Sequence, residues 1–227
     1  MSELIPLYND DNLQRILSMP YYVFEENTKF DYVNPNAEVV IVGITPGNSQ
    51  LKGCRDGMLP KEIKRKYAFV GNLRKNMVRM LDYIGVNTML GIISCNSLWE
   101  KDFDRVEMTS LLKKATYKIS GSRKEMFKDT DMIAKSENLR KEFEEGFVKD
   151  CEQYKNARLF VACGQGVYDE LMKLKERGVI TAPVVAIAHP SGNNGVRVLY
   201  YMGQLDSSLV WCQERAKEAI ETIRQTK

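Results

Sequence analysis

VVIVG, Val39–Gly43, is apolar up to its closing glycine, with no polar residue inside it. A strand with one wet face alternates polar and apolar residues. A run without alternation is buried on both faces, as in a parallel sheet covered by helices. Three further runs read the same way: GIISC (Gly91–Cys95), LFVAC (Leu159–Cys163) and VVAIA (Val184–Ala188). Between them, apolar residues recur at helical spacing. Leu73, Met77, Met80, Leu81 and Ile84 make one stripe, and Leu139, Phe143, Phe147, Cys151 and Tyr154 a second. Val167, Leu171 and Leu174 make a third, and Leu209, Cys212, Ala216, Ala219 and Ile223 a fourth. Strand alternating with helix predicts an α/β fold, a three-layer α/β/α sandwich around a central four-stranded parallel sheet. Residues 1–227 are expected to form a single domain. Within it, 101–135 is expected to decorate the sheet rather than build it, and the stretch after it to supply a crossover helix.

Composition narrows the class. The chain has 227 residues, 44% hydrophobic and 28% charged, which suits one well-buried soluble domain. No apolar run is long enough to span a bilayer, and MSELIPLYNDDN lacks the basic-then-apolar order of a secretory signal. A cytoplasmic, monomeric protein without membrane contact is expected. The 5 cysteines form no CxxC pair and there is 1 histidine, so neither a metal nor a cofactor is expected. The thiols read as reduced core residues, Cys95 and Cys163 above all.

The net charge of +3 permits contact with a polyanion without requiring it. Lys61, Lys64, Arg65, Lys66, Arg74, Lys75 and Arg79 crowd one stretch. Lys113, Lys114, Lys118, Arg123, Lys124 and Lys128 crowd another, around a Ser120-Gly121-Ser122 tip. Such runs read as solvated faces before they read as nucleic-acid contacts.

Ligands of open parallel sheets bind beyond the carboxyl ends of the strands. GITPGNSQ (Gly43–Gln50) follows the first run, Asn96 the second, GQGVYDE (Gly164–Glu170) the third and HPSGNN (His189–Asn194) the fourth. Pro46 and Gly47 make a rigid strand exit that is neither a GxGxxG fingerprint nor a Walker loop. Asn96 offers an acceptor and two donors, enough to read the edge of a pyrimidine, and a turn or helix cap is its commoner use. His189, the single imidazole, is able to donate a directed hydrogen bond to a departing anion, and a satisfied core histidine is the alternative. No GxSxG elbow supports serine catalysis at Ser191. Tyr67 and Phe69 are core aromatics or a stacking platform for a planar ring.

In combination, GITPG, Asn96 after GIISC, ACGQGVYDEL (Ala162–Leu171) and HPSGNN resemble the uracil-DNA glycosylase superfamily. The motif style is that of its mismatch-specific and single-strand-selective branches, written GxxPG, with a second motif beginning HPS. Order and spacing agree over roughly residues 38–220. The resemblance implies a monofunctional enzyme that flips a nucleotide from DNA and excises its base, leaving an abasic site. It casts His189 as donor to the departing base, Asn96 as reader of the base edge, and Tyr67 or Phe69 as its stacking partner. Ile44, Gly47 and Asn48 would line the base pocket. Ser191, Gly192, Asn193, Asn194 and Arg197 would form the loop that contacts DNA and fills the gap.

Two departures from the family pattern matter. Thr45 stands where the family positions water with Asp or Asn, and a neutral hydroxyl is a poor general base. Asn48 or Asp56 would then have to hold the water, or leaving-group stabilisation would carry the chemistry. Gly47 replaces a bulky residue that would exclude a 5-substituent. Three functions fit: excision of uracil or a 5-modified pyrimidine; excision of hypermodified cytosine, such as glucosylated hydroxymethylcytosine, in phage defence; and nucleic-acid binding without cleavage.

Overall fold

A computed structural model describes residues 21–25, 32–205 and 210–226. Seven strands run in chain order: Tyr21–Glu25 (β1), Val39–Gly43 (β2), Val106–Ser110 (β3), Ala115–Ser120 (β4), Arg123–Met126 (β5), Leu159–Cys163 (β6) and Val184–Ile187 (β7). The larger sheet is parallel, four-stranded and ordered β3-β2-β6-β7. Successive residues of its strands point to opposite faces, and each face carries its own core. Val39, Ile41, Leu159 and Val161 pack against Met77, Met80 and Leu81 of the helix Asn72–Ile84, and against Cys212, Ala216 and Ala219 of Val210–Gln225. Val40, Val42, Phe160 and Ala162 pack against Leu139, Phe143, Phe147 and Leu171. Helices therefore cover both faces, as the unalternating runs require. Leu209, predicted for the last stripe, lies outside the described residues.

One predicted strand is not a strand. Gly91 takes a φ of 65° after the short helix Val86–Leu90. The Ile92 amide then turns back to donate to the Asn87 carbonyl at 2.9 Å. The Asp82 carboxylate accepts from the Ser94 hydroxyl and the Cys95 amide, each at 2.7 Å. Donors that would hold a strand to its neighbour are thus consumed locally, and Cys95–Trp99 forms a tight 3-10 turn. Ile93, at 98% exposed, faces water rather than a core.

The missing strand is β3, VEMTS, inside the segment expected only to decorate. It pairs with β2 from Val39–Val106 to Gly43–Ser110 and is buried along its whole length. The Leu111 and Leu112 amides extend the pairing to the Gly43 and Ile44 carbonyls, each at 3.0 Å. Its burial carries a carboxylate inward. Glu107 meets the Lys64 ammonium, itself 1% exposed, and accepts from the Asn34 amide at 2.8 Å. Lys64 also donates to the Tyr32 carbonyl. Burial pulls Lys64 down to about 8 and pushes Glu107 above the usual carboxylate range, against the attraction of each for the other. Lys113 is likewise buried, against Asp150. Two members of the basic runs are therefore internal counter-ions rather than parts of a solvated face.

The rest of 101–135 builds a second, antiparallel sheet, ordered β1-β4-β5, with Gly121 at its hairpin tip. It packs through Ala115 and Tyr117 onto Leu51 of the helix Asn48–Arg55. Four of the thiols (Cys95, Cys151, Cys163, Cys212) are buried and Cys54 is half-buried, all unpaired. Among the described residues no helix is long and apolar enough to cross a membrane. Nor does any group of three or more His, Cys, Asp or Glu side chains there suit a metal ion.

Candidate functional site

A cleft of about 350 Å³ opens at the carboxyl ends of β2, β3 and β6 and the exit of β7. The β2 exit contributes Ile44, Thr45, Gly47 and Asn48, and the segment after the helix Pro60–Tyr67 contributes Tyr67 and Phe69. His189 closes the cleft from the exit of β7. Pieces far apart in sequence thus meet because parallel strands end on one edge.

His189 is half-buried on the cleft wall. Its Nδ1 accepts the Ser191 amide at 3.4 Å, so the neutral ring carries its proton on Nε2. Burial lowers its pKa below 6.5, which leaves the imidazole neutral at pH 7. The turn that holds it is fixed from the helix Asn72–Ile84, where the Asn76 amide donates to the Pro190 carbonyl at 3.0 Å. Gly164, at φ 100°, lets the chain after β6 pass close to the imidazole. A Cβ there would sit 3.6 Å from the His189 Cβ, and the positive φ itself favours glycine.

Phe69 has a φ of 50°, the one non-glycine left-handed residue among those described. Such a backbone costs on the order of 1–2 kcal/mol and persists only where neighbours over-determine it. Here the preceding carbonyl, Ala68, accepts from Trp99 Nε1 at 3.0 Å and from Arg74 at 3.3 Å. Arg74 also donates to the Lys66 carbonyl at 2.8 Å and lies over the Trp99 ring at 5.3 Å. The Phe69 ring reaches over Gly43, where a Cβ would come within 4.0 Å of it and 3.7 Å of the Ser110 hydroxyl. Tyr67 lies farther out, close against Gly53, with Lys66 over its ring at 5.3 Å. Of the two aromatics, Phe69 is the one braced as a platform.

Thr45 has a different job from the one its position suggested. Its hydroxyl donates to the Lys114 carbonyl and accepts from the Thr116 amide, each at 3.0 Å, tying the β2 exit to the small sheet. The Gly47 amide donates to Gln50 Oε1 at 2.9 Å, and a Cβ on Gly47 would press that oxygen at 3.2 Å. Asn48 lines the cleft and Asp56 does not. No carboxylate stands among the described residues of its wall.

Asn96 is not brought to this cleft. It is exposed, donates to Glu100 Oε1 at 2.9 Å, and lines a separate depression with Ser97 and Arg105. Its placement followed from the strand Gly91–Cys95, which does not form. The end of the true strand supplies Thr109 and Ser110 instead, and the exit of the hairpin supplies Phe127 and Lys128. Thr109 is 2% exposed and its hydroxyl lies against the buried Tyr154 phenol.

In the loop after His189, Gly192–Asn194 forms a 3-10 turn and Gly195–Tyr201 a helix. The Asn194 amide returns to the Ser191 carbonyl at 2.9 Å, and Gly192 lies against Asn72. Asn193 takes part through its backbone. Arg197 is exposed and borders a neighbouring cleft.

No family model matches the chain. Over 43% of its length it aligns at 29% identity with YoxB, an uncharacterized protein of Bacillus subtilis (strain 168), spanning 46% of that relative, under half. Among solved structures, the crystal structure of wild-type SMUG2 from Pedobacter heparinus is similar at a TM-score of 0.46 and 14% identity, covering 84% of this chain and 76% of that one. Neither likeness says what the cleft binds.

Proposed function

We propose that the chain is a monofunctional DNA glycosylase that takes uracil or a 5-modified pyrimidine into the Phe69–His189 cleft and breaks its N-glycosidic bond. The observation that carries this is the placement of His189: its Nδ1 faces the Ser191 amide, leaving Nε2 to donate, on the wall of a cleft that also holds a braced aromatic ring. Cleavage leaves negative charge on the departing base. A fixed neutral donor stabilises that charge without giving up its proton, an effect of order 10²–10³ in rate. Phe69 stacks on the ring, and the Ser110 hydroxyl replaces Asn96 at its edge. That hydroxyl donates or accepts by rotation, so it suits a uracil-type or a cytosine-type edge.

With Thr45 committed to the small sheet and no carboxylate on the described wall, leaving-group stabilisation carries the chemistry and water is held by Asn48 or not at all. That same observation favours the second reading, a module of this fold that binds nucleic acid without cleaving it. Oligonucleotides containing uracil, 5-hydroxymethyluracil, a G·T mismatch or glucosylated hydroxymethylcytosine, treated with enzyme and then alkali, separate the two. Strand breaks that fall 10²–10³-fold in His189→Ala are expected. Salt-dependent binding with no abasic product from any substrate would transfer the assignment to the binding module.

A further inference from the structure

A second cleft, of about 450 Å³, adjoins the first. The two share Ile44, Lys128, Cys163 and His189, so they meet at the imidazole. The second is also bordered by Gln165, Arg197 and Trp211. Trp211 is half-buried, and its indole N–H is tied to Gln165 Oε1, which also accepts from Arg215 Nε at 3.3 Å. The polar edge of the ring is thereby spent, which leaves its π-surface as what it offers to the cleft. Lys128 and Arg197 are exposed, and neither has an ion-pair or hydrogen-bond partner among the described residues. One aromatic and two unpaired cations, continuous with a pocket for one planar ring, match the pattern by which proteins hold a single strand: bases on aromatic faces, phosphates on cations.

We propose that this second cleft is a subsite for the nucleotide adjoining the flipped one, with Trp211 stacked on its base and Lys128 and Arg197 holding the phosphodiester between the two. The assignment rests on the first cleft being the base pocket. It adds a contact to the neighbouring nucleotide, so a base inside a strand binds better than the same base free.

The chain has 2 tryptophans, and Trp99 is 4% exposed in the core, so a ligand-induced change in tryptophan fluorescence reports Trp211. The full-length protein is titrated with uracil, with deoxyuridine monophosphate, with the dinucleotide of deoxyuridine and thymidine, and with an octanucleotide. Quenching is expected from the dinucleotide onward and not from uracil. Arg197→Ala and Lys128→Ala should each weaken octanucleotide binding at least threefold and each flatten its salt dependence by about 0.7 in logarithmic slope. Lys217→Ala, which removes an exposed charge outside both clefts, should do neither. Trp211→Phe should keep affinity within about twofold while abolishing the quench, and Trp211→Ala should lose at least fivefold. Trp211→Phe and the two cation variants decide the matter even where Trp211→Ala does not fold. Octanucleotide binding without quench, or cation variants that behave like Lys217→Ala, would overturn the subsite. Cleavage with unchanged KM in both cation variants would also overturn it while leaving the glycosylase standing. Quench and charge dependence without any abasic product would do the reverse.

Discussion

Replacing Glu107 by Gln removes the carboxylate bonded to a fully buried ammonium, while keeping an oxygen for the Asn34 amide. Lys64 keeps its bond to the Tyr32 carbonyl but loses the counter-charge bonded to it. Breaking a buried pair in this way costs about 3–5 kcal/mol. In a chain of this size, each kcal/mol lowers Tm by about 2–4 °C, so a fall of about 6–20 °C is expected by calorimetry. Its pH dependence is specific. In the wild type Lys64 titrates at about 8 when folded, against 10.5 unfolded, and without its anion it titrates lower still. Wherever the unfolded chain binds more protons, stability rises with pH. Between pH 7 and 8 the variant has entered that window and the wild type has not, so the deficit narrows there. The double variant Lys64→Met/Glu107→Gln removes the stranded charge and should recover at least half the loss. A Glu107→Gln protein within about 2 °C of wild type, or a double variant no better than the single, would refute the electrostatic account of β3.

Because the chain has a single imidazole, its NMR titration is unambiguous. His189 should titrate below 6.5, with the neutral ring protonated on Nε2. As pH falls from 6.5 toward that lower value the unfolded chain binds the extra proton first, so stability declines; this slope should vanish in His189→Gln. Asn96→Ala, outside the cleft, should leave cleavage or oligonucleotide binding within about twofold in the same assays. Phe69→Ala should weaken substrate binding by about 1–3 kcal/mol, seen as a raised KM or Kd. Thr45→Val strands the Thr116 amide, at about 1–3 kcal/mol, and should lower Tm by about 2–12 °C without abolishing the activity of the folded fraction.

The sheet was legible where its strands are uniformly apolar. Val39–Gly43, Leu159–Cys163 and Val184–Ala188 advertise burial on both faces, and β2, β6 and β7 formed within or across those bounds. The edge strand was hidden because VEMTS carries a carboxylate and two hydroxyls, and its counter-ion is 43 residues away, on a helix. Periodicity has no access to a partner at that distance. GIISC misled for the opposite reason. Its residues suit a strand, but Asp82 captures the Cys95 amide and the Ser94 hydroxyl, and the Ile92 amide turns back to Asn87. The site divided along the same line. His189, Ile44, Gly47, Asn48, Tyr67 and Phe69 all reached one cleft because they flank correctly placed elements, whereas Asn96 inherited its strand's error. Thr109, Ser110, Phe127 and Lys128 carried no motif, and only the strand order puts them on the cleft wall.

Arg74 and Trp99 together fix the carbonyl that precedes Phe69. The ring is therefore ordered before any ligand arrives, and association need not spend entropy on it. Ordering one side chain on binding costs about 0.5–1.5 kcal/mol. A loosened Arg74 would shift that cost into the binding step. The damage would appear first as weaker recognition, in a protein whose cleft residues are all intact.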